Sequence, residues 1–138
     1  MENDFPTAPQ AIGNYVTYKR VGNLIFTSGH IPITGNQKFI GKVPSEISIT
    51  DAYAASALCA NLTIATLKSH TDINNLQPVN VLGFVNADDS FVDHAKVLNG
   101  FTDTLAEFFS EKATRSAVGV KSLPLNVCVE VQCIFSYE

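Results

Sequence analysis

The chain has 138 residues, 46% apolar and 16% charged, with a net charge of −4: long enough for one domain with one core and too apolar for disorder. Its nine basic residues are scattered, which argues against electrostatic binding to nucleic acid or to a membrane surface. Ordinary domains carry about 25% charged residues, so the polar cover is thin, and burial against another chain or cover by uncharged polar groups stand as equal alternatives.

Residues 1–12 read as an extended arm, because Pro6 and Pro9 oppose a helix. The first residues, Met1-Glu-Asn-Asp-Phe-Pro6, set acids where a secretory signal needs bases. No apolar run approaches the roughly 20 residues of a membrane span. Three cysteines, at 59, 128 and 133, lack paired spacing and fit a reducing compartment. A cytoplasmic protein with a single domain over 1–138 is the expectation.

Residues 15–20 and 24–28 are β-branched and aromatic runs separated by Val21-Gly22-Asn23, the pattern of a hairpin with Gly-Asn in its turn. Residues 31–48, broken by Pro32, Gly35, Asn36, Gly41 and Pro44, read as a loop with at most one short strand at 39–43. A helix is expected over 50–70, capped by Ser48 or Thr50, with Ala54, Ala55, Leu58, Leu62 and Ala65 near one face. Residues 78–86 follow as a strand, and 86–90 as a turn. A second helix is expected over 91–112 from the spacing of Val97, Phe101, Leu105, Phe108 and Phe109, with Gly100 marking a close contact or a kink. Strands at 116–121 and 127–136 end the chain. The sum is an α+β domain, a mixed sheet with two helices on one face.

The last strand alternates. Val127, Val129, Val131, Cys133 and Phe135 form an apolar set for the helices, whereas Cys128, Glu130, Gln132, Ile134 and Ser136 are mixed, as on a subunit interface or a pocket floor. Arg115 begins a strand among small residues, directly after a helix, so its planar fork is open to a carboxylate or to an ordinary salt bridge. Glu130 reads as a base, a water holder or the ion-pair partner of Arg115. Tyr15 and Ser28 offer hydroxyls from the first hairpin. No metal is expected: His30, His70 and His94 share no ligand spacing, and Cys128 and Cys133, five apart on a strand, face opposite ways. Common nucleotide and nucleophile motifs are missing.

Three segments, Ala8-Pro-Gln-Ala-Ile-Gly-Asn-Tyr15, Gly22-Asn-Leu-Ile-Phe-Thr-Ser-Gly-His-Ile-Pro32 and Arg115-Ser-Ala-Val-Gly-Val-Lys-Ser-Leu-Pro124 with Val129-Glu-Val131, resemble the Rid/YjgF family of reactive intermediate deaminases along nearly the whole chain. The resemblance implies a chorismate-mutase-like fold and a homotrimer whose sheets form a central barrel, with clefts between subunits. It implies hydrolysis of 2-imino or enamine acids to 2-keto acids and ammonia, without a cofactor. By position, Arg115 would grip the substrate carboxylate and Glu130 would activate water. Tyr15 would close the cleft, which Ser28, Gly29 and the backbone of Ala117 would line. Departures from the family are Ala117 in place of a frequent cysteine, His30 in place of glutamine, a longer 31–50 connection and a shorter 109–115 link. Asn99 is the candidate for the family's helix-two asparagine. A non-catalytic carboxylate-binding module is the alternative reading, and a ribonuclease or translation inhibitor a weaker one, since no basic patch exists.

Overall fold

A computed structural model describes residues 5–138; the first four residues of the expected arm lie outside it. The hairpin forms as β1 (Tyr18–Val21) and β2 (Leu24–Thr27), with Val21 opposite Leu24 and Gly22 at φ +60° in the two-residue turn. A left-handed residue is what such a turn requires, and glycine meets it without a Cβ clash. The 31–48 segment carries isolated bridges, Ile33 to Lys38, Ile40 to Val127 and Val43 to Ala87, in place of the short strand expected at 39–43. Its glycines and prolines leave too few consecutive partners for a ladder.

Helix α1 (Ile49–Lys68) starts at Ser48, whose side chain accepts the Asp51 N–H at 3.0 Å. Its buried face agrees with the expected one at Ala55, Leu62 and Ala65 and departs from it at Ala54 and Leu58. Ala52, Ala55, Ser56, Cys59 and Thr63 pack inward, whereas Leu58 is half-buried and Ala54 exposed. Small side chains face the partner because α1 lies almost in contact with α2 (His94–Leu105). A Cβ at Gly100 would stand 2.0 Å from the Tyr53 carbonyl oxygen and 2.5 Å from Ser56 Oγ. The expected close contact at Gly100 is therefore real. Helix α2 is shorter than the apolar spacing implies: it stops at Leu105, Phe108 lies in the turn that follows and Phe109 just beyond it. Phe109 nevertheless packs on Phe135, ring centroids 5.5 Å apart, so the period reported burial beyond the helix itself.

Strand β3 (Leu76–Asn86), β4 (Thr114–Val120) and β5 (Val129–Tyr137) complete one five-stranded sheet in the order β1-β2-β5-β3-β4. All neighbours are antiparallel except β3 and β4, which α2 joins as a parallel pair. The architecture is the expected α+β one, with two helices on one face of a mixed sheet. No helix among the described residues is long and apolar enough to cross a membrane.

The core lies between the helices and one sheet face. Val129, Val131, Cys133 and Phe135 of β5 are all at 1% exposure or less. The alternation fails just before the strand. Cys128 joins the core cluster with Cys59 and Cys133, because the chain bends at Cys128, between the bridge at Val127 and the start of β5 at Val129. The expectation that Cys128 and Cys133 face opposite ways is thus incorrect.

Candidate functional site

Strand pairing fixes which face each candidate occupies. Arg115, Ala117 and Gly119 of β4 stand opposite Val81, Gly83 and Val85 of β3, and the last two of these stand opposite Val131 and Val129 of β5. Partners in register project to the same side, so these β4 positions share the helix-covered face. Close contacts agree: a Cβ on Gly83 would lie 2.5 Å from Leu98 Cδ1, and one on Gly119 would lie 2.6 Å from His94 Nε2, both on α2. One turn on along the same helix, Thr102 Oγ1 accepts a hydrogen bond from Arg115 Nη1 at 3.1 Å.

Arg115 is exposed, on the edge strand, beside a cavity of about 460 Å³ lined also by Asn99, Thr102, Lys112 and Ala113. It does not follow the helix directly; α2 ends at Leu105, and turns intervene before β4. Thr102 occupies one of the five guanidinium donors with a neutral partner, which fixes the fork while its charge stays available to an anion. Asn99 reaches the same cavity. Ala117 lies half-buried two residues on, packed against the core.

Glu130 projects the other way. It pairs with Phe84 on the face that no helix of the described residues covers. Its carboxylate rests on Gly29, where a Cβ would stand 2.1 Å from Oε2, so a side chain at position 29 and this carboxylate exclude each other. Burial raises the Glu130 pKa above the usual carboxylate range. Ser28 donates through Oγ to the Val16 carbonyl, and its N–H donates to the Thr17 carbonyl at 3.1 Å. These bonds tie down the segment that carries Tyr15, half-exposed beside Gly13.

The protein therefore holds two clusters on opposite faces of one sheet. Arg115, Asn99, Thr102 and Ala117 form one; Glu130, Gly29 and Ser28, with the Tyr15 segment attached, form the other. The suggestion that Glu130 is the ion-pair partner of Arg115 within the chain is excluded by this placement. Sequence reading missed Thr102, whose role depends on the α2–β4 approach and has no local signal. The thiols take no part in either cluster. Cys59, Cys128 and Cys133 are buried, and desolvation pushes Cys128 up to about 12 and the other two upward as well.

Apart from Lys19, which pairs with Phe26 on the outer strand, the uncovered face is otherwise apolar or uncharged. Phe26, Leu82, Phe84 and Ile134 are half-buried there, and Leu24 and Val118 are exposed at 40% and 41%. Contiguous apolar surface of this kind marks an association surface or a ligand groove.

Residues 2–136 match the family model described as "YjgF/chorismate_mutase-like, putative endoribonuclease". The 2-iminobutanoate/2-iminopropanoate deaminase of Escherichia coli strain K12 is 34% identical over 134 residues, 92% of this chain and 90% of that protein. The crystal structure of Atu1372 from Agrobacterium tumefaciens, a protein of unknown function, superposes with a TM-score of 0.87 at 30% identity, covering 94% of this chain and 86% of that one. The structure of Escherichia coli TdcF with bound serine superposes with a TM-score of 0.67 at 25% identity, covering 95% and 93%.

Proposed function

Because the chain belongs to the YjgF/chorismate-mutase-like family, we propose that it hydrolyses reactive 2-imino and enamine acids, such as 2-iminobutanoate and 2-aminoacrylate, to 2-keto acids and ammonia, at clefts between the subunits of a homotrimer. The placement of Arg115 and Glu130 on opposite faces of the sheet carries this reading. An anion anchor and a carboxylate base that one chain holds apart meet only when a second copy sets its edge strand against the uncovered face of the first. That face has the low charge an association surface needs.

The chemistry asks little more. An enamine first takes a proton on carbon to become the imine. Arg115 of one subunit holds the substrate carboxylate in its fork, steadied by Thr102. Glu130 of the next accepts a proton from water as the water oxygen attacks the C2 carbon of the protonated imine. The Glu130 carboxyl gives that proton to the carbinolamine nitrogen, and the carboxylate so regenerated takes the hydroxyl proton as the C–N bond breaks; the ketone forms, and the departing ammonia takes the last proton from Glu130 and leaves as ammonium. Water is the sole co-reactant. A raised Glu130 pKa makes the carboxylate a better base, so the burial that destabilises its charge serves the proton transfer. The relative with bound serine supports a small carboxylate of amino-acid size as the kind of ligand.

The test generates 2-iminobutanoate with a dehydratase and follows its loss as the semicarbazone. Wild-type protein accelerates the loss, and Arg115→Ala and Glu130→Gln each abolish most of that acceleration. Unfolding the two variants together and refolding them restores activity at about one quarter of the clefts if assembly is random. Two inactive variants that stay inactive after mixing would overturn the shared cleft, and an inert wild type would overturn the deaminase reading. A second reading, binding of a small carboxylate without turnover, rests on the same Arg115 fork and appears as thermal stabilisation by 2-oxobutanoate that Arg115→Ala removes.

A further inference from the structure

His30 immediately follows the Ser28–Gly29 segment that supports Glu130, and only 3% of it is exposed. Its ring makes two polar contacts. Nδ1 lies 2.9 Å from the Ser28 carbonyl oxygen, and Nε2 lies 2.8 Å from Thr66 Oγ1 on α1. A carbonyl oxygen only accepts, so the ring proton sits on Nδ1; Nε2 of the neutral ring is then an acceptor, and the Thr66 hydroxyl donates to it. Thr66 is 1% exposed and rides on the rigid core of α1. The main chain of His30 is pinned too: its N–H donates to the Val131 carbonyl at 2.8 Å, and the Val131 N–H returns a bond to the His30 carbonyl at 3.0 Å. One line of hydrogen bonds thus runs from the helix through the imidazole to the peptide between Ser28 and Gly29.

That peptide has little freedom. The Ser28 carbonyl and the Gly29 N–H belong to one plane, and rotating it swings the Gly29 Cα against the Glu130 carboxylate, which is packed too closely to admit even a methyl group. A ring that fixes the carbonyl therefore fixes the floor on which the carboxylate rests. Desolvation lowers the His30 pKa, and the Ser28 bond only partly opposes it, so the ring stays neutral at physiological pH.

We propose that His30 is a positioning residue of the deaminase site: its Nδ1–H tautomer, set by the Ser28 carbonyl and held in place by the Thr66 hydroxyl, orients the Ser28–Gly29 peptide and through it the Glu130 carboxylate. The proposal rests on the deaminase reading for its kinetic consequence but not for its structural one, and the two are measured separately. The structural readout needs no substrate. In ¹⁵N-labelled protein, long-range proton–nitrogen spectra give a protonated Nδ1 and a bare Nε2 for His30. Thr66→Val, close to isosteric, removes the donor to Nε2, shifts the Nε2 resonance, frees the ring to move and so moves the Gly29 amide resonance. A wild-type ring protonated on Nε2, or a Gly29 amide unmoved in Thr66→Val, overturns the proposal.

The kinetic readout is the split between kcat and KM on 2-iminobutanoate. Thr66→Val and His30→Leu lower kcat roughly tenfold with KM nearly unchanged, because the base is misplaced while the Arg115 anchor is untouched. In His30→Gln an amide with a donor and an acceptor spans the same two partners, and kcat returns to within about threefold of wild type. A merely structural histidine would lower the melting temperature and leave kcat of the folded protein unchanged, which overturns the proposal; Thr66→Val supplies this test if His30→Leu does not fold. A wild type without turnover would overturn the deaminase reading alone, and the spectra would still decide the coupling.

Discussion

The two faces of β5 are built from alternate residues of one segment, yet they are finished to different degrees. Val129, Val131, Cys133 and Phe135 disappear under the helices, while Glu130, Gln132, Ile134 and Ser136 remain half-exposed with no element of the same chain above them. The covered face is where the chain completes its own fold. The open face is left uncovered by the described residues, and the lone carboxylate of the strand is found there; under the proposed function a second subunit completes it. Under the proposed function the base thus lies across the sheet from the core, with Arg115 at the exposed edge of the core side.

Changes on the two sides should therefore fail in different ways. The largest effect belongs to the covered face: Phe135→Ala, truncating a ring with 0% exposure that packs on Phe109, costs about 3–5 kcal/mol, read as a fall in denaturant midpoint. Arg115→Ala, at the exposed edge of the same face, breaks the division usefully. It lowers kcat/KM on 2-iminobutanoate roughly 100-fold through loss of a charge-assisted fork, with an unchanged melting temperature; a large loss of stability would instead make Arg115 structural. On the open face, Gly29→Ala forces the Glu130 carboxylate off its seat and lowers kcat about tenfold with KM little changed.

The smallest effect is a displacement along the pH axis. Glu130 acts as a base only when ionised, so activity falls as the pH drops through its raised pKa, and the acidic limb of kcat/KM lies above the ordinary carboxylate range. Stability has the opposite sign. The folded protein holds this proton more tightly than the unfolded chain, so its contribution is full below the ordinary carboxylate value and declines as pH rises through the raised one. Glu130→Gln removes both dependences, as pH–rate profiles and melts across that window would show.

Much of this was legible beforehand, and the misses have a common cause. The Gly22-Asn23 turn and the alternation of β5 are local signals, and both were read from single segments. Apolar spacing overextends helix α2, because Phe108 and Phe109 continue a period that reports burial and not backbone conformation. Alternation puts Cys128 on the wrong side because parity holds only within a strand, and Cys128 sits in the bend before β5. Arg115 is the instructive case. Its parity within β4 is evident from sequence, but its face depends on register with β3, a fact about pairs of segments. The same holds for Thr102, Gly29 against Glu130, and the His30–Thr66 bond: each residue is ordinary alone, and each acquires its role from a partner distant in the chain.

The strand order carries one more consequence, for how the protein is made. Strand β5 is last in the chain and central in the sheet, and it alone hydrogen-bonds the β1–β2 hairpin to the β3–β4 pair. During synthesis both earlier pairs emerge with their central edges bare, exposing β-branched and aromatic segments of the kind that invite intermolecular pairing. The sheet closes only after residues 129–137 have left the ribosome, so a stall before that point yields two unjoined halves and a client for chaperones.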